Sequence, residues 1–369
     1  MWSYRNPVAV RFGWDALADL PAVLGARDAV LITFPEARAT GLLDRVRGLL
    51  RNRLREVIDD VQPNPETSWF AARYDAFWKS HADCALIAVG GGSAIDTAKL
   101  LQVATVRGDY ASLFEALAAG RQPAVARAMP LIAVPTTAGT GSEVTPWATL
   151  WDRTSAIPKK YSLHGEQTWP EAALVDPALT LSAPMAVARN SALDALSHSL
   201  ESIWNVNANP VSDTLAVEAA RSVIATLPAL LERPGEREPR IAMARASLMA
   251  GLAFSNTRTA LAHSISYEMT LRHGVPHGLA CSFTLPLVWR LASGADRGRD
   301  EVLGRVFGPS QAEPWRSLAD FLHRVGVKTS FSEYGVGAEE ARGMIKYALD
   351  GARGRNFVNA APQLDESIA

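Results

Sequence analysis

The chain has 369 residues, of which 48% are hydrophobic and 20% charged, with a formal net charge of −1. That length exceeds what one ordinary hydrophobic core serves, so two domains of a globular protein are expected. Near-neutrality excludes a basic field for nucleic acid and a polybasic surface for a membrane, and no uninterrupted apolar stretch approaches a membrane span.

The two cysteines, Cys84 and Cys281, are not paired by any recognisable spacing. That argues against a disulfide framework and fits a reducing cytoplasm. The opening run Met1–Gly13 lacks a charged segment followed by an apolar one, so no secretory leader is read there. Arginine far outnumbers lysine, which reflects genome composition rather than function.

Taken in chain order, Ala29–Ile32 (AVLI) reads as a strand and 42–54 as a helix. Val57–Val61 is a second strand candidate, followed by a helical stretch over 68–79. Ala85–Val89 (ALIAV) runs into Gly90-Gly91-Gly92-Ser93, and 95–106 has helical spacing. Leu131–Val134 is another buried strand, ending in the loop Pro135–Ser142. Strands alternating with helices indicate a parallel sheet covered on both faces, with ligands beyond the carboxyl ends of its strands. After Asp176-Pro177 the strand-like runs mostly give way to helical periodicity, with Pro184 expected in the first helical turn and Ser182 as a nearby cap. The domain boundary is placed at residue 182, giving 1–182 as an α/β nucleotide-binding domain and 183–369 as an all-α domain. The tail after Gly351 is polar and irregular, and is expected to be partly mobile.

Two loops carry cofactor chemistry. In strand–GGGS–helix, glycines let the backbone approach an anion while the N–H groups opening the helix point at it. Ser93 adds a hydroxyl, and Asp96 and Lys99 follow. A glycine-rich turn by itself is equally just a tight turn. The second loop, Pro135-Thr136-Thr137-Ala138-Gly139-Thr140-Gly141-Ser142-Glu143, brings four hydroxyls and two glycines to the end of another buried strand. Together they point to a nucleotide site, although neither is the GxGxxG fingerprint.

A metal constellation lies further on. Asp194 and His198 share one face of a helix, and His263 and His277 follow. One carboxylate and three imidazoles can hold iron(II) or zinc(II) and leave positions open for substrate. An isolated Asp/His pair is commonly a surface or capping arrangement, but here both lie among Ala and Leu, where an unpaired buried Asp is costly. His277, in Val-Pro-His-Gly, is equally a turn residue.

These pieces, GGGSAIDTAK at 90–99, PTTAGTGSEVT at 135–145, DALSHSLE at 194–201, and His263 with PHG at 276–278, resemble the iron-containing (group III) alcohol dehydrogenase family. The similarity covers nearly the whole chain, including VQPNPE at 61–66. The resemblance implies a dehydroquinate-synthase-like fold with the active site in the cleft between the domains. It implies Asp194, His198, His263 and His277 as metal ligands, and Gly91, Gly92 and Ser93 at the cofactor pyrophosphate. Thr136, Thr137 and Thr140 would line the nicotinamide half, with Lys160 near the ribose or phosphate. The implied chemistry is reduction of an aldehyde polarised by the metal, with hydride from NADPH or NADH.

Three departures bear on function. Where many family members carry another His after the third ligand, this chain has Tyr267, which can still donate a proton or bond the ribose. After the early strand the run is Leu31-Ile32-Thr33-Phe34-Pro35, with no acid to meet a ribose 2′-hydroxyl before Glu36, which favours NADPH. Arg258 replaces a residue that is usually small, and Arg272 and His273 lie beside the metal loop. Arginine near an aldehyde site suits an oxyanion, although pairing with Glu268, Glu201 or other surface groups explains these cations as well. FSNTRTALAHSISY with GVPHGLACSFTLP is similar to the phosphonoacetaldehyde reductase branch, whose members make 2-hydroxyethylphosphonate for phosphonate natural products. That implies Arg258 as the phosphonate ligand, with Arg272 or Lys159 assisting, and Tyr267 and His277 at the reacting centre. Phe254 and Trp147 would line an apolar pocket suited to a short neutral alcohol or diol instead. A dehydroquinate-synthase-type lyase and a catalytically inactive binding protein are the remaining alternatives, and a homodimer is compatible with the sequence.

Overall fold

The computed structural model describes residues 1–153, 155, 159–308, 313–362 and 364. The chain divides into two compact units, Asn6–Thr137 with Ser142–Ser182, and Ala183–Ala369 with Met1–Arg5 and Ala138–Gly141.

The first unit is α/β. Its strands are β1 (Ala9–Phe12), β2 (Ala29–Ile32), β3 (Leu54–Ile58), β4 (Ala85–Gly90), β5 (Val103–Thr105), β6 (Val125–Ala128), β7 (Leu131–Pro135), β8 (Ala148–Asp152), β9 (Lys159–Leu163) and β10 (Ala172–Val175). Six of them form one parallel sheet in the order β1-β10-β7-β4-β2-β3. β5–β6 and β8–β9 are separate antiparallel pairs. The central strands are unbroken apolar runs because both faces are covered: Val30, Ile32, Leu86 and Ala88 enter one core, and Leu31, Ala85, Ile87 and Val89 the other.

Local chemistry moves several expected boundaries. The helix from Leu42 stops at Leu50, a 3-10 turn follows, and β3 starts at Leu54 rather than Val57 because it pairs with β2 from Ala29 onward. Beyond Ile58 the chain leaves the sheet, and Val61 keeps one backbone bond, to Thr33 O. The stretch over 68–79 is two helices, Thr67–Ala71 and Tyr74–His81. The helix after β4 begins at Gly92 and ends at Gln102, since Val103–Thr105 turns into β5 and pairs with β6.

The second unit contains no strand among its described residues. Its long helices are Met185–Ile203, Pro210–Glu232 and Arg237–Thr257, followed by Leu261–His273 and His277–Ser282. The first opens at Pro184 without a side-chain cap; Ser182 is not the cap, because its hydroxyl donates back to Leu179 O. Pro210–Glu232 is long and apolar enough to cross a membrane by length and composition. Here Ala216, Ala219, Val223 and Leu227 pack in the helical core, and Asp213 is bound by Arg299 at 2.6 Å. In the tail, Gly354–Asn356 forms a turn and Phe357 is buried against the bridge to Asn205. Residues 365–369, where the tail was expected to be mobile, lie outside the described residues.

Candidate active site

In the α/β unit the two glycine-rich loops leave neighbouring strands side by side. Gly90 pairs with Pro135, and Thr136 N–H donates to Gly90 O at 2.9 Å. A Cβ on Gly91 would meet Thr137 at 3.4 Å, and one on Gly90 would meet the Ala94 Cβ at 2.6 Å. Gly91 precedes the first turn of the helix Gly92–Gln102, the kind of helix start whose N–H groups can take an anion. Gly91, Gly92, Ser93, Thr136 and Thr137 therefore come together. The Ser93 hydroxyl also accepts the Asn64 N–H at 3.1 Å.

Asp96 and Lys99 serve the loops differently. The Ser142 hydroxyl and the Thr149 N–H occupy the two Asp96 oxygens, at 2.7 and 2.9 Å. Lys99 is fully buried and donates to Ser142 O, Ser142 Oγ and Trp147 O at 2.6, 2.9 and 2.8 Å. Its three N–H bonds are thus all used within the protein, and the pair stiffens the second loop from beneath. Burial pushes Lys99 down to about 8 despite Asp96, and pushes Glu143 up to about 7 despite Lys99. Lys160 sits over the Trp151 ring at 5.1 Å, while Lys159 is exposed beside it on β9.

The metal candidates converge in the helical unit. Around Asp194 Oδ1 stand His263 Nε2 at 3.4 Å, His198 Nε2 at 3.8 Å and His277 Nε2 at 3.9 Å. Asp194 Oδ1 and His263 Nε2 are buried with no hydrogen-bond partner. Donor atoms at about 2.0–2.2 Å from a tetrahedral ion lie about 3.4 Å from one another, so this spacing suits an ion between them. The outer nitrogens are set by the protein: His198 Nδ1 donates to Gly139 O at 3.3 Å, and His263 Nδ1 to Glu201 Oε2 at 2.6 Å. Each leaves Nε2 with its lone pair for the centre. Burial pushes His198 down to about 4 against the pull of Asp194, keeping it neutral. Burial alone would raise Asp194, but the three imidazoles hold its carboxyl well below the usual range. Asp194, His198 and His263 are almost fully covered, whereas the His277 side chain is 31% exposed and marks the open side.

Around this centre, the Phe254 ring stacks on His198 at 4.0 Å and Tyr267 lies parallel to His277 at 6.4 Å. Arg353 lies over the Tyr267 ring at 4.7 Å and donates to Thr259 Oγ1 at 3.0 Å. Arg258, next to Thr259, is exposed and has φ +69°, with its carbonyl held by Asn205. Arg272 is instead engaged by Glu340 at 2.9 Å and Glu268 at 3.6 Å, and His273 by Glu340 at 3.2 Å. Thr140 belongs to the helical unit and Trp147 to the α/β unit, where the Trp147 carbonyl accepts from Lys99.

Three residues near this centre escaped sequence reasoning as site residues. Glu201 lies seven after Asp194, on the same helix face, so its pattern was available. Cys281 stands one turn after His277 on their helix. Arg353 gave no local signal, because only the fold brings it to Tyr267.

Residues 7–177 match the family described as iron-containing alcohol dehydrogenase, and residues 188–365 match the C-terminal part of the Fe-containing alcohol dehydrogenase family. The NAD-dependent methanol dehydrogenase of Bacillus methanolicus is 32% identical over 364 residues, covering 95% of this chain and 94% of that one. The 1,3-propanediol dehydrogenase of Citrobacter freundii is 32% identical over 298 residues, covering 79% and 75%. The crystal structure of sulfoacetaldehyde reductase from Bifidobacterium kashiwanohense with NAD+ superposes with a TM-score of 0.86 at 29% identity, covering 100% of this chain and 96% of that one. The chain belongs to the iron-containing alcohol dehydrogenase family. It is a nicotinamide- and metal-dependent oxidoreductase of the alcohol dehydrogenase and aldehyde reductase class, which sets aside the lyase and the inactive binding protein.

Proposed function

We propose that the enzyme reduces a small anionic aldehyde to its primary alcohol with NADPH or NADH, phosphonoacetaldehyde to 2-hydroxyethylphosphonate foremost, as a cytoplasmic step of phosphonate natural-product biosynthesis. The observation that carries this reading is the Arg353 guanidinium over the Tyr267 ring, one aromatic ring away from His277, the most exposed of the four metal candidates. Arg353 spends one N–H on Thr259 and has its forked NH2 groups for an oxyanion, and Arg258 precedes Thr259 in the chain. Arg272, held by two carboxylates, is the weaker phosphonate ligand, and Lys159 remains a helper by exposure alone. A structural relative that acts on sulfoacetaldehyde is consistent with a two-carbon aldehyde bearing an anionic head.

Asp194, His198, His263 and His277 would hold Fe2+ or Zn2+, which supplies Lewis-acid polarisation of the carbonyl oxygen when bound. Glu201 and Gly139 keep two of those imidazoles in the ligating tautomer. Tyr267 presents its hydroxyl beside His277 as proton donor or ribose partner. Gly91, Gly92 and Ser93 would cradle the pyrophosphate, Thr136, Thr137 and Thr140 the nicotinamide half, and Lys160 the ribose or phosphate. NADPH is favoured because the Thr33 hydroxyl is committed to Val89 O and Phe34 and Pro35 follow, so that no carboxylate comes after β2 before Glu36. A second reading, a short neutral alcohol or diol, draws on the apolar face of Phe254, on Trp147, and on the methanol and propanediol relatives.

The test is oxidation of NADPH and of NADH by metal-reconstituted enzyme with phosphonoacetaldehyde, acetaldehyde and butyraldehyde. Preference for phosphonoacetaldehyde, lost on chelation, supports the proposal. Equal or better turnover of the neutral aldehydes discards the phosphonate.

A further inference from the structure

The helix His277–Ser282 places Cys281 one turn beyond the ligand His277, with no exposure to solvent. Single donor atoms of Asp194, His263, His277 and Cys281 all lie within 4.8 Å of one another. Cys281 Sγ is 3.6 Å from both His277 ring nitrogens. Two polar atoms aimed into the same space, Asp194 Oδ1 and His263 Nε2, are buried and unpartnered. With sulfur at about 2.3 Å and nitrogen at about 2.0–2.1 Å from a shared ion, the two stand about 3.1 Å apart at a right angle and about 3.6 Å apart at a wider one. The thiol therefore sits at ligand spacing.

We infer that Cys281 is a further protein donor to the metal of Asp194, His198, His263 and His277, and that it biases the site toward zinc over iron. The inference rests on the metal-site reading above. On binding, the S–H bond breaks, the proton leaves to solvent and the sulfur lone pair forms the metal–sulfur bond, with no change of oxidation state. A thiolate is the soft member of an otherwise nitrogen and oxygen set, and softness is what separates zinc from iron(II) where geometry is shared. The competing account is that Cys281 fills core volume as a small apolar side chain.

Cobalt(II) distinguishes the two. The full chain is stripped with chelator and titrated with Co2+, reading near-ultraviolet thiolate-to-cobalt charge transfer and the visible ligand-field bands, for wild type, C281S, C281A and C84S. The expected result is a near-ultraviolet band that saturates at one cobalt per chain in wild type and C84S. It vanishes in C281S and C281A while their visible bands persist. Zinc affinity, by chelator competition, then falls about 10-fold or more in C281S, against a smaller loss for Fe2+. Cobalt bound by wild type without a sulfur band overturns the inference and leaves the metal site standing, whatever the folding of the variants. A band unchanged in C281S also overturns it. Failure of the wild type to bind cobalt at all overturns the metal site and the Cys281 inference together.

Discussion

Glu201 Oε2 lies 2.6 Å from His263 Nδ1 with both side chains buried, and the same carboxylate accepts the N–H groups of Ala260 and His263 at 3.0 and 3.1 Å. One side chain thus caps the helix Leu261–His273 and selects the tautomer of His263, the proposed metal ligand. Glu201→Ala should weaken metal binding about 10–100-fold and lower the melting temperature, whereas Glu201→Gln keeps an acceptor and should fall between. Chelator competition and thermal denaturation check this; equal metal affinity in all three proteins would remove Glu201 from the site.

Arg258 separates backbone from side chain. Its φ of +69° and ψ of 172° place a non-glycine residue in a region that costs about 1–3 kcal/mol. Arg258→Gly should relieve that strain and raise the melting temperature, while Arg258→Ala keeps it. Both should lose turnover of an anionic aldehyde and spare acetaldehyde. Equal losses on both substrates would exclude Arg258 from anion binding.

Arg353 offers the parallel test at the stack. Arg353→Met keeps apolar bulk over Tyr267 and removes the charge, so KM for phosphonoacetaldehyde should rise about 10-fold or more. KM for acetaldehyde should change little. Steady-state kinetics with the two aldehydes read the difference directly.

Glu143 and Lys99 predict two opposed windows of pH-dependent stability. Glu143 is raised from 4.5 to about 7, so the folded chain keeps a proton that the unfolded chain has released. Its contribution is full below 4.5 and is lost as pH rises through about 7, at up to about 1.4 kcal/mol per pH unit. Lys99 is lowered from 10.5 to about 8, so over that window the unfolded chain binds more protons and stability rises with pH. Denaturant unfolding across pH should show the first slope flattened in Glu143→Gln and the second in Lys99→Met.

Much of the fold was legible because its central strands are apolar on both faces. β2, β4 and β7 stand out as runs of Ala, Val, Ile and Leu, while β1, half exposed at the sheet edge, does not. Asp194 and His198 were readable from their four-residue spacing, whereas the convergence of His263 and His277 depends on how three helices pack. For Arg272 the pairing with Glu268, one turn earlier on its own helix, was legible from spacing, whereas Glu340 comes from a helix far along the chain. Arg353 was invisible for the same reason. Ser182 was a reasonable cap by residue type, but the capping position is Pro184, and the Ser182 hydroxyl donates back to Leu179 O.

Two glycines touch the ligand-bearing helix Met185–Ile203 at adjacent residues. A Cβ on Gly139 would fall 2.4 Å from Ser191 O, and one on Gly278 would fall 1.9 Å from Asn190 O. At both points backbone meets backbone, so any side chain larger than hydrogen there would push helix or loop aside. If Asp194 and His198 hold the ion as proposed, a side chain at either glycine would displace the ligands themselves, so these two positions tolerate drift least while Arg258, Tyr267 and Arg353 carry no such backbone contact.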